Sequence, residues 1–447
     1  MAVNHTIKLY LFPGGKQRRA KPTNLRSKPS KMANPPLQQS PFADRYPLFS
    51  AILFEQRERA LTIISAGFMA TYAITILVAF WRAGGPQFSS EAILGGDFIV
   101  FWSAAKALWS GDAAAIYASA TMEAQLLQFF PNEESYRLSW QYPPTAFLLI
   151  GPLGALGYLP ALFVWWGISV GLLFTILHNF WARRSALVIA LGAAAVLQGL
   201  LAGQTGLLTA SALALAAFFP GRRPLLAGLA AGLLTVKPQF GILLPIAYIA
   251  GGHWRAFFTA AITASLLVLA TTLMLGPDIW TAFYNAITAH SDRMQSDIFP
   301  FYKVISLYGG MVMVGIPIPI AIKIQLAITL GLAIFIFWVW RRHKAPAART
   351  IALCIAAPLA VPYVFYYELA ILVVPCFLIA KQAMDKGWLR HEQILLSVLW
   401  LAPLFVTSGE LGPLPIAALS TSLVFFLGAR RLFKDERLSF KPAGALS

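Results

Sequence analysis

The feature that most constrains this chain is the close succession of apolar runs from Ala60 to Ala429, separated by short basic or Gly/Pro-rich turns. About twenty apolar residues cross a bilayer core as a helix, which alone satisfies its own backbone polar groups where water is absent. Charged residues make up only 12% of the chain and hydrophobic residues 58%. Soluble domains are about 25% charged, so a soluble globular enzyme is excluded, and so is a disordered chain. A β-barrel would show alternation in stretches of about ten residues, and these runs are continuous. The expected fold class is therefore an all-α polytopic membrane protein.

The first span is expected at Ala60 to Trp81, with others near 158–181, 185–200, 205–219, 224–236, 238–251, 254–275, 317–340, 347–362, 368–381, 393–408 and 413–429. That gives about twelve, with both termini cytoplasmic. The net charge of +17 would suggest nucleic acid in a soluble protein. Here the basic residues fall in an N-terminal tail and in alternate loops. Arg183/Arg184, Arg222/Arg223, Arg255, Arg341/Arg342/Lys344, Lys381/Lys386/Arg390 and Arg430/Arg431 all fall on the cytoplasmic side of this topology. Residues 1–55 read as a disordered basic cytoplasmic tail, 56–432 as the membrane domain and 433–447 as a cytoplasmic C-terminal tail. A misassigned start codon is an equally plain account of the first segment.

Two long outer loops are expected, 82–142 and 276–316. The first holds two helix-like pieces, Asp97 to Trp109 and Thr121 to Phe130, suited to lying along the interface. Pro144 to Gly157 is apolar but short for a crossing, and reads as re-entrant or half-length. Cys354 and Cys376 lie inside apolar runs without a CxxC or Cys/His pattern, so neither a disulfide framework nor a metal site is implied.

On this topology the polar oddities collect at the outer ends: Asp97, Tyr142, Gln204, Lys237, His290, Arg293, Tyr363 and Glu368. Ionisable groups beside an apolar bundle are costly and mark a functional site by default. Each also has an ordinary reading. Asp97 is placed to cap the following helix, Lys237 to snorkel, and Gly203-Gln204 to make a tight helix–helix turn. His290 suits a solvated loop, and Glu368 a helix N-terminus that its charge favours. Taken together, they suit sugar transfer from a lipid phosphate. A carboxylate acts as general base on an acceptor hydroxyl, and Lys, His or Arg stabilises the leaving phosphate. Direct displacement would invert the anomeric carbon.

Five stretches carry a family resemblance: GGDFIVFWSAAKALWSGDAAAIY, QYPPTAFLLIGPLGALGYLPALFVWW, LAGQTGLLTASALAL, PGRRPLLAGLAAGLLTVKPQFGILLP and PYVFYYELAILVVP. In their D–YPP–GQ–KP order, from about Gly95 to Pro375, they resemble glycosyltransferase family 87, the polyprenol-phosphate-dependent membrane transferases. The resemblance implies a C-type glycosyltransferase (GT-C) bundle with its site on the outer face of the cytoplasmic membrane. It implies a polyprenyl-phosphate sugar as donor and a lipid or glycan as acceptor. The sugar would be a hexose or pentose, and mannose itself does not carry over from the relatives. It places the catalytic Asp at Asp97 and the GQ and KP motifs at Gln204 and Lys237. Lys237, His290 and Arg293 are the expected donor-phosphate ligands; Tyr142, Gln204, Tyr363 and Glu368 are expected to line the substrate site. Glu368 stands where the family often has Asp, and GGDF lacks a second adjacent acid, so neither a metal nor another cofactor is required. Two other readings compete. A transporter or flippase for lipid-linked sugars would suit broken helices with buried polar groups, but no clear internal repeat relates the two halves. A non-catalytic subunit of a glycan assembly complex is the third.

Overall fold

The computed structural model describes residues 57–83, 87–89, 92–129, 138–294, 299, 301–406 and 415–439. The basic tail 1–55 and residues 440–447 lie outside the described residues.

Helix α1 (Arg57–Ala83) leads into a small antiparallel pair, β1 (Gln87–Ser89) and β2 (Ala92–Ile93), then α2 (Phe98–Ser110), α3 (Ser119–Phe129) and α4 (Ala146–Ile150). The bundle continues with α5 (Tyr158–Phe180), α6 (Arg184–Leu191), α7 (Ala194–Leu201), α8 (Gly206–Phe218), α9 (Pro224–Leu233), α10 (Leu244–Gly251) and α11 (Trp254–Leu275). Then follow α12 (Asp278–Met294), α13 (Leu307–Met313), α14 (Ile318–Arg342), α15 (Pro346–Ala356), α16 (Val373–Lys386), α17 (Glu392–Leu401) and α18 (Ile416–Ser439).

Helix appears at almost every expected span, but among the described residues fewer than twelve of these helices are by themselves long and apolar enough to cross a membrane. Five stretches are long and apolar enough to cross a membrane: Glu58–Val78 within α1, α5, α11, α14, and Tyr366–Lys386, in which a 3₁₀ turn runs into α16. The α6–α7 pair, bent by 48°, makes a sixth if it is one span. Most of the other expected spans are shorter apolar helices such as Gly206–Phe218 and Pro346–Ala356, while 413–429 falls in the 24-residue α18. Pro238 shows why: it follows Lys237 between two 3₁₀ turns and cannot donate to a continuing helical ladder. Helices α8 and α15 are buried along most of their length, where the protein itself surrounds them.

The short segment after Pro144 is half-length, as expected. Ala146–Ala155 covers about 15 Å, half a hydrocarbon core. It packs against α2, where Trp109 Nε1 donates to the Gly151 carbonyl at 2.8 Å and Trp102 Nε1 to Leu156 at 3.1 Å. Helices α2 and α3 sit within a residue or two of the expected loop pieces. The second loop holds more structure than expected, since α12 and α13 lie inside 276–316. Helix α18 also runs on to Ser439, past the expected boundary at 432.

Two apolar clusters form the interior. The smaller joins α2, α3, α4 and the start of α5 through Phe98, Phe101, Trp140 and Trp165. The larger unites α5–α11 with α14–α18 around Tyr248, Trp340 and Ile351. Helix ends alternate in character along the chain. The α5–α6, α8–α9, α10–α11 and α14–α15 junctions carry the arginines. The junctions between them carry Gln204, Lys237 and the 363–368 segment.

Helices α9 and α11 run parallel in backbone contact. A Cβ at Gly228 would lie 2.4 Å from the Cβ of Thr259, and one at Gly232 would lie 2.4 Å from that of Thr263. Close packing of small residues drives helix association in lipid, where no hydrophobic force acts between helices. Gly232→Leu is therefore expected to destabilise the fold by about 1–3 kcal/mol through overpacking. A melting curve of the purified protein in detergent checks this, with Gly167→Leu as control because nothing lies within 4 Å of a Cβ there.

Candidate functional site

The site is built first from backbone. The turn Leu94–Asp97 docks on the turn Ala202–Thr205: Asp97 N–H donates to the Ala202 carbonyl at 2.9 Å. Gly203 has φ +62°, and a Cβ there would lie 1.9 Å from the Gly95 carbonyl oxygen. A side chain is excluded on both conformational and steric grounds. Trp165 Nε1 donates to the Gly203 carbonyl at 3.0 Å and Tyr158 Oη to Leu94 at 2.6 Å, so α5 buttresses both turns. On the other side, a Cβ at Gly206 would lie 2.2 Å from the Tyr367 carbonyl oxygen. The Gly-Gln-Thr-Gly turn is thus wedged between the Asp97 turn and the Tyr366–Leu372 segment.

Side chains then link up across these contacts. Gln204 Nε2 donates to Asp97 Oδ2 at 2.7 Å, and Tyr142 Oη donates to Gln204 Oε1 at 2.8 Å. Lys237 Nζ lies 5.3 Å from the ring centre of Tyr142 and 5.1 Å from that of Tyr367, and forms an ion pair with Glu368. Glu368 is 1% exposed, and its Oε2 has no hydrogen-bond partner among the described residues.

Several of the ordinary readings fail against this geometry. Asp97 is not a helix cap: its backbone is helical and its side chain makes no capping bond. It is only partly covered, and its carboxylate is held by Gln204. Lys237 does not snorkel, since it is buried against Glu368 and two aromatic rings. Asp97 lies in the loop after α1, outside the spanning helices. Burial pushes its carboxyl above the usual carboxylate range. The Gln204 hydrogen bond and the charges of Lys303 and Lys237 pull it back without cancelling the rise.

The other expected residues are placed more loosely. His290, on α12, has its Nδ1 2.6 Å from Gln141 Nε2, which adjoins Tyr142 in sequence. Tyr363 Oη is 2.9 Å from Tyr308 Oη. Arg293 is on α12, but its side chain lies outside the described residues. The sequence reading missed Lys303. It ends the 3₁₀ turn Phe301–Lys303, which is tied to the 363–368 segment by a Val304–Phe365 bridge and by Ile305 N–H to the Val364 carbonyl at 2.7 Å. Its Phe-Tyr-Lys context inside a long loop carries no periodic signal. Among the described residues no three His, Cys, Asp or Glu side chains converge as a metal site would require.

A multi-pass apolar helical protein that gathers a carboxylate, an amide, a tyrosine and a buried lysine–glutamate pair at its turns has the makings of a membrane enzyme. The chain belongs to glycosyltransferase family 87, whose model matches residues 140–362, and it is a membrane glycosyltransferase. The matched stretch contains Tyr142, Gln204, Lys237 and His290; Asp97 precedes it, and Tyr363 and Glu368 follow. No curated protein and no solved structure matches the chain.

The buried pair gives a two-step test. Lys237→Met alone leaves an uncompensated buried carboxylate and is expected to cost about 3–5 kcal/mol of stability. Adding Glu368→Met is expected to restore most of it, because an apolar pair of similar volume needs no desolvation. Melting of the single and double variants in detergent reads out both.

Proposed function

We propose that this membrane glycosyltransferase moves a hexose or pentose from a polyprenyl-phosphate donor to a lipid or glycan acceptor, with inversion, and that Asp97 is the general base. The observation that carries this reading is that Asp97 is partly open and makes no cap, while Gln204 fixes its carboxylate. A base must be both reachable and oriented.

In this mechanism Asp97 takes the proton of the acceptor hydroxyl through its free oxygen while Gln204 holds Oδ2. The acceptor oxygen forms a bond to the anomeric carbon as the bond from that carbon to the phosphate oxygen breaks. The leaving polyprenyl phosphate keeps the bonding electrons. Its growing charge calls for cations already in place. Lys303, which acts on Asp97 through its charge, and His290 are the groups for this, with Arg293 on the same helix as His290. Lys237 already faces Glu368, so its role here is to fix the Tyr142 and Tyr367 rings as well as to add positive field. Tyr142, Gln204 and Tyr363 line the acceptor side. The wider reading is a GT-C bundle of about twelve membrane segments, several of them short. Both termini are cytoplasmic, and the site is on the outer face of the cytoplasmic membrane. The donor is a substrate, and no cofactor takes part.

The test is a comparison of surface glycans and glycolipids by mass spectrometry, in a deletion strain carrying wild type or Asp97→Asn at equal membrane levels. One sugar unit is expected to be missing in the deletion and in Asp97→Asn alike, reflecting a rate loss of about 10²–10⁴-fold for removal of a general base. Full restoration by Asp97→Asn would remove Asp97 from the chemistry.

A further inference from the structure

The parallel packing of α9 and α11 has an electrostatic consequence away from the transferase site. Their N-termini lie side by side at the arginine-bearing junctions, and both helices begin there without help. The residues before them, Arg223 and His253, make no side-chain capping bond, and neither first turn contains an acid. The positive ends of two helix dipoles therefore adjoin. Arg223 and Arg255 stand at the same place, both exposed, and among the described residues neither is ion-paired. Between the helices is a cleft of about 710 Å³ lined by these two arginines with Leu225, Trp254 and Phe258. Ligand pockets run from about 300 to 1,000 Å³.

The cleft is two-faced. Its rim is cationic. Its wall is apolar and open to the surroundings of the bundle, with Leu225 64%, Trp254 51% and Phe258 57% exposed. An exposed tryptophan beside exposed arginines at the end of a long apolar helix is the pattern of a bilayer interface, and Arg223, which lies 5.8 Å from the Phe219 ring centre, has no acidic partner among the described residues. A free anion would satisfy the rim and leave the wall bare, whereas an acyl chain alone would leave the arginines unpaired. We propose that this cleft binds an anionic phospholipid. The headgroup phosphate would sit between Arg223 and Arg255 at the paired helix N-termini, and an acyl chain would lie along Leu225, Trp254 and Phe258. Basic pockets between membrane helices hold anionic headgroups by this combination of charge and apolar contact.

The test uses the purified full-length chain in a neutral detergent, titrated with phosphatidylglycerol and followed by native mass spectrometry. Wild type is expected to retain bound phosphatidylglycerol, more weakly as salt rises, and to retain phosphatidylcholine far less. Arg223→Gln/Arg255→Gln is expected to bind phosphatidylglycerol about tenfold or more weakly. Its helical content and its lipid-free melting temperature should stay unchanged, since both side chains are exposed. If that variant does not purify as a single species, Phe258→Ser is used instead and is expected to lose phosphatidylglycerol by removing the apolar wall. Three results would each overturn the proposal: equal retention of both lipids by wild type, undiminished phosphatidylglycerol binding by the variant, or displacement of phosphatidylglycerol by equimolar inorganic phosphate. The last would make the cleft a free-anion site.

Discussion

Gly203 touches the Gly95 carbonyl so closely that no side chain fits between them, and the geometry of the polar cluster depends on that contact. It brings two turns far apart in sequence into backbone register, so that Asp97 N–H meets the Ala202 carbonyl and Gln204 reaches the Asp97 carboxylate. Gly206 permits the equivalent approach of the Tyr366–Leu372 segment. Three parts of the chain thus meet through backbone before any side chain is placed. Side chains resting on packed backbone have few alternative positions, and catalysis needs that precision.

Charge is managed differently at the two kinds of junction. At the glycine-rich turns, the lysine and glutamate most deeply enclosed neutralise each other, and Asp97 is left accessible under the field of Lys303 and Lys237. Away from those turns, buried charge is paired or hydrogen-bonded. Arg431 is bound to Glu392, and Arg349 donates to the His343 and Trp340 carbonyls. The exposed arginines between α9 and α11 have no such internal partner among the described residues, and their surroundings suit an anionic lipid. Removing charge from water is expensive, and pairing or a bound counter-charge offsets that cost.

Much of this was legible in the sequence because apolar runs and their basic flanks report directly on burial. The α2 and α3 segments emerged from their helix-like, Phe-, Trp- and Ala-rich composition, and the half-length segment after Pro144 from its length. Asp97, Tyr142, Gln204, Lys237 and Glu368 stood out because polar groups are anomalous beside apolar runs. Their pairing did not, because the Gln204–Asp97 and Lys237–Glu368 contacts join residues over a hundred positions apart. How many of the expected spans cross in full was not legible, because composition does not separate a spanning helix from a short one buried in protein, as α8 and α15 are. Helix α12 was passed over because its polar residues resemble a loop when read without its neighbours. Lys303 was missed because its place is set by a bridge between two loops.

The most direct test of the central claim is the pH dependence of kcat/KM for transfer, comparing wild type with Gln204→Leu. Asp97 acts deprotonated, so activity is lost as pH falls through its folded pKa, which burial has raised above the ordinary aspartate value of about 3.9. The Gln204 hydrogen bond favours the charged form, and removing it is expected to move the acid limb to still higher pH. Superimposable acid limbs in the two proteins would show that the carboxylate Gln204 holds is not the base.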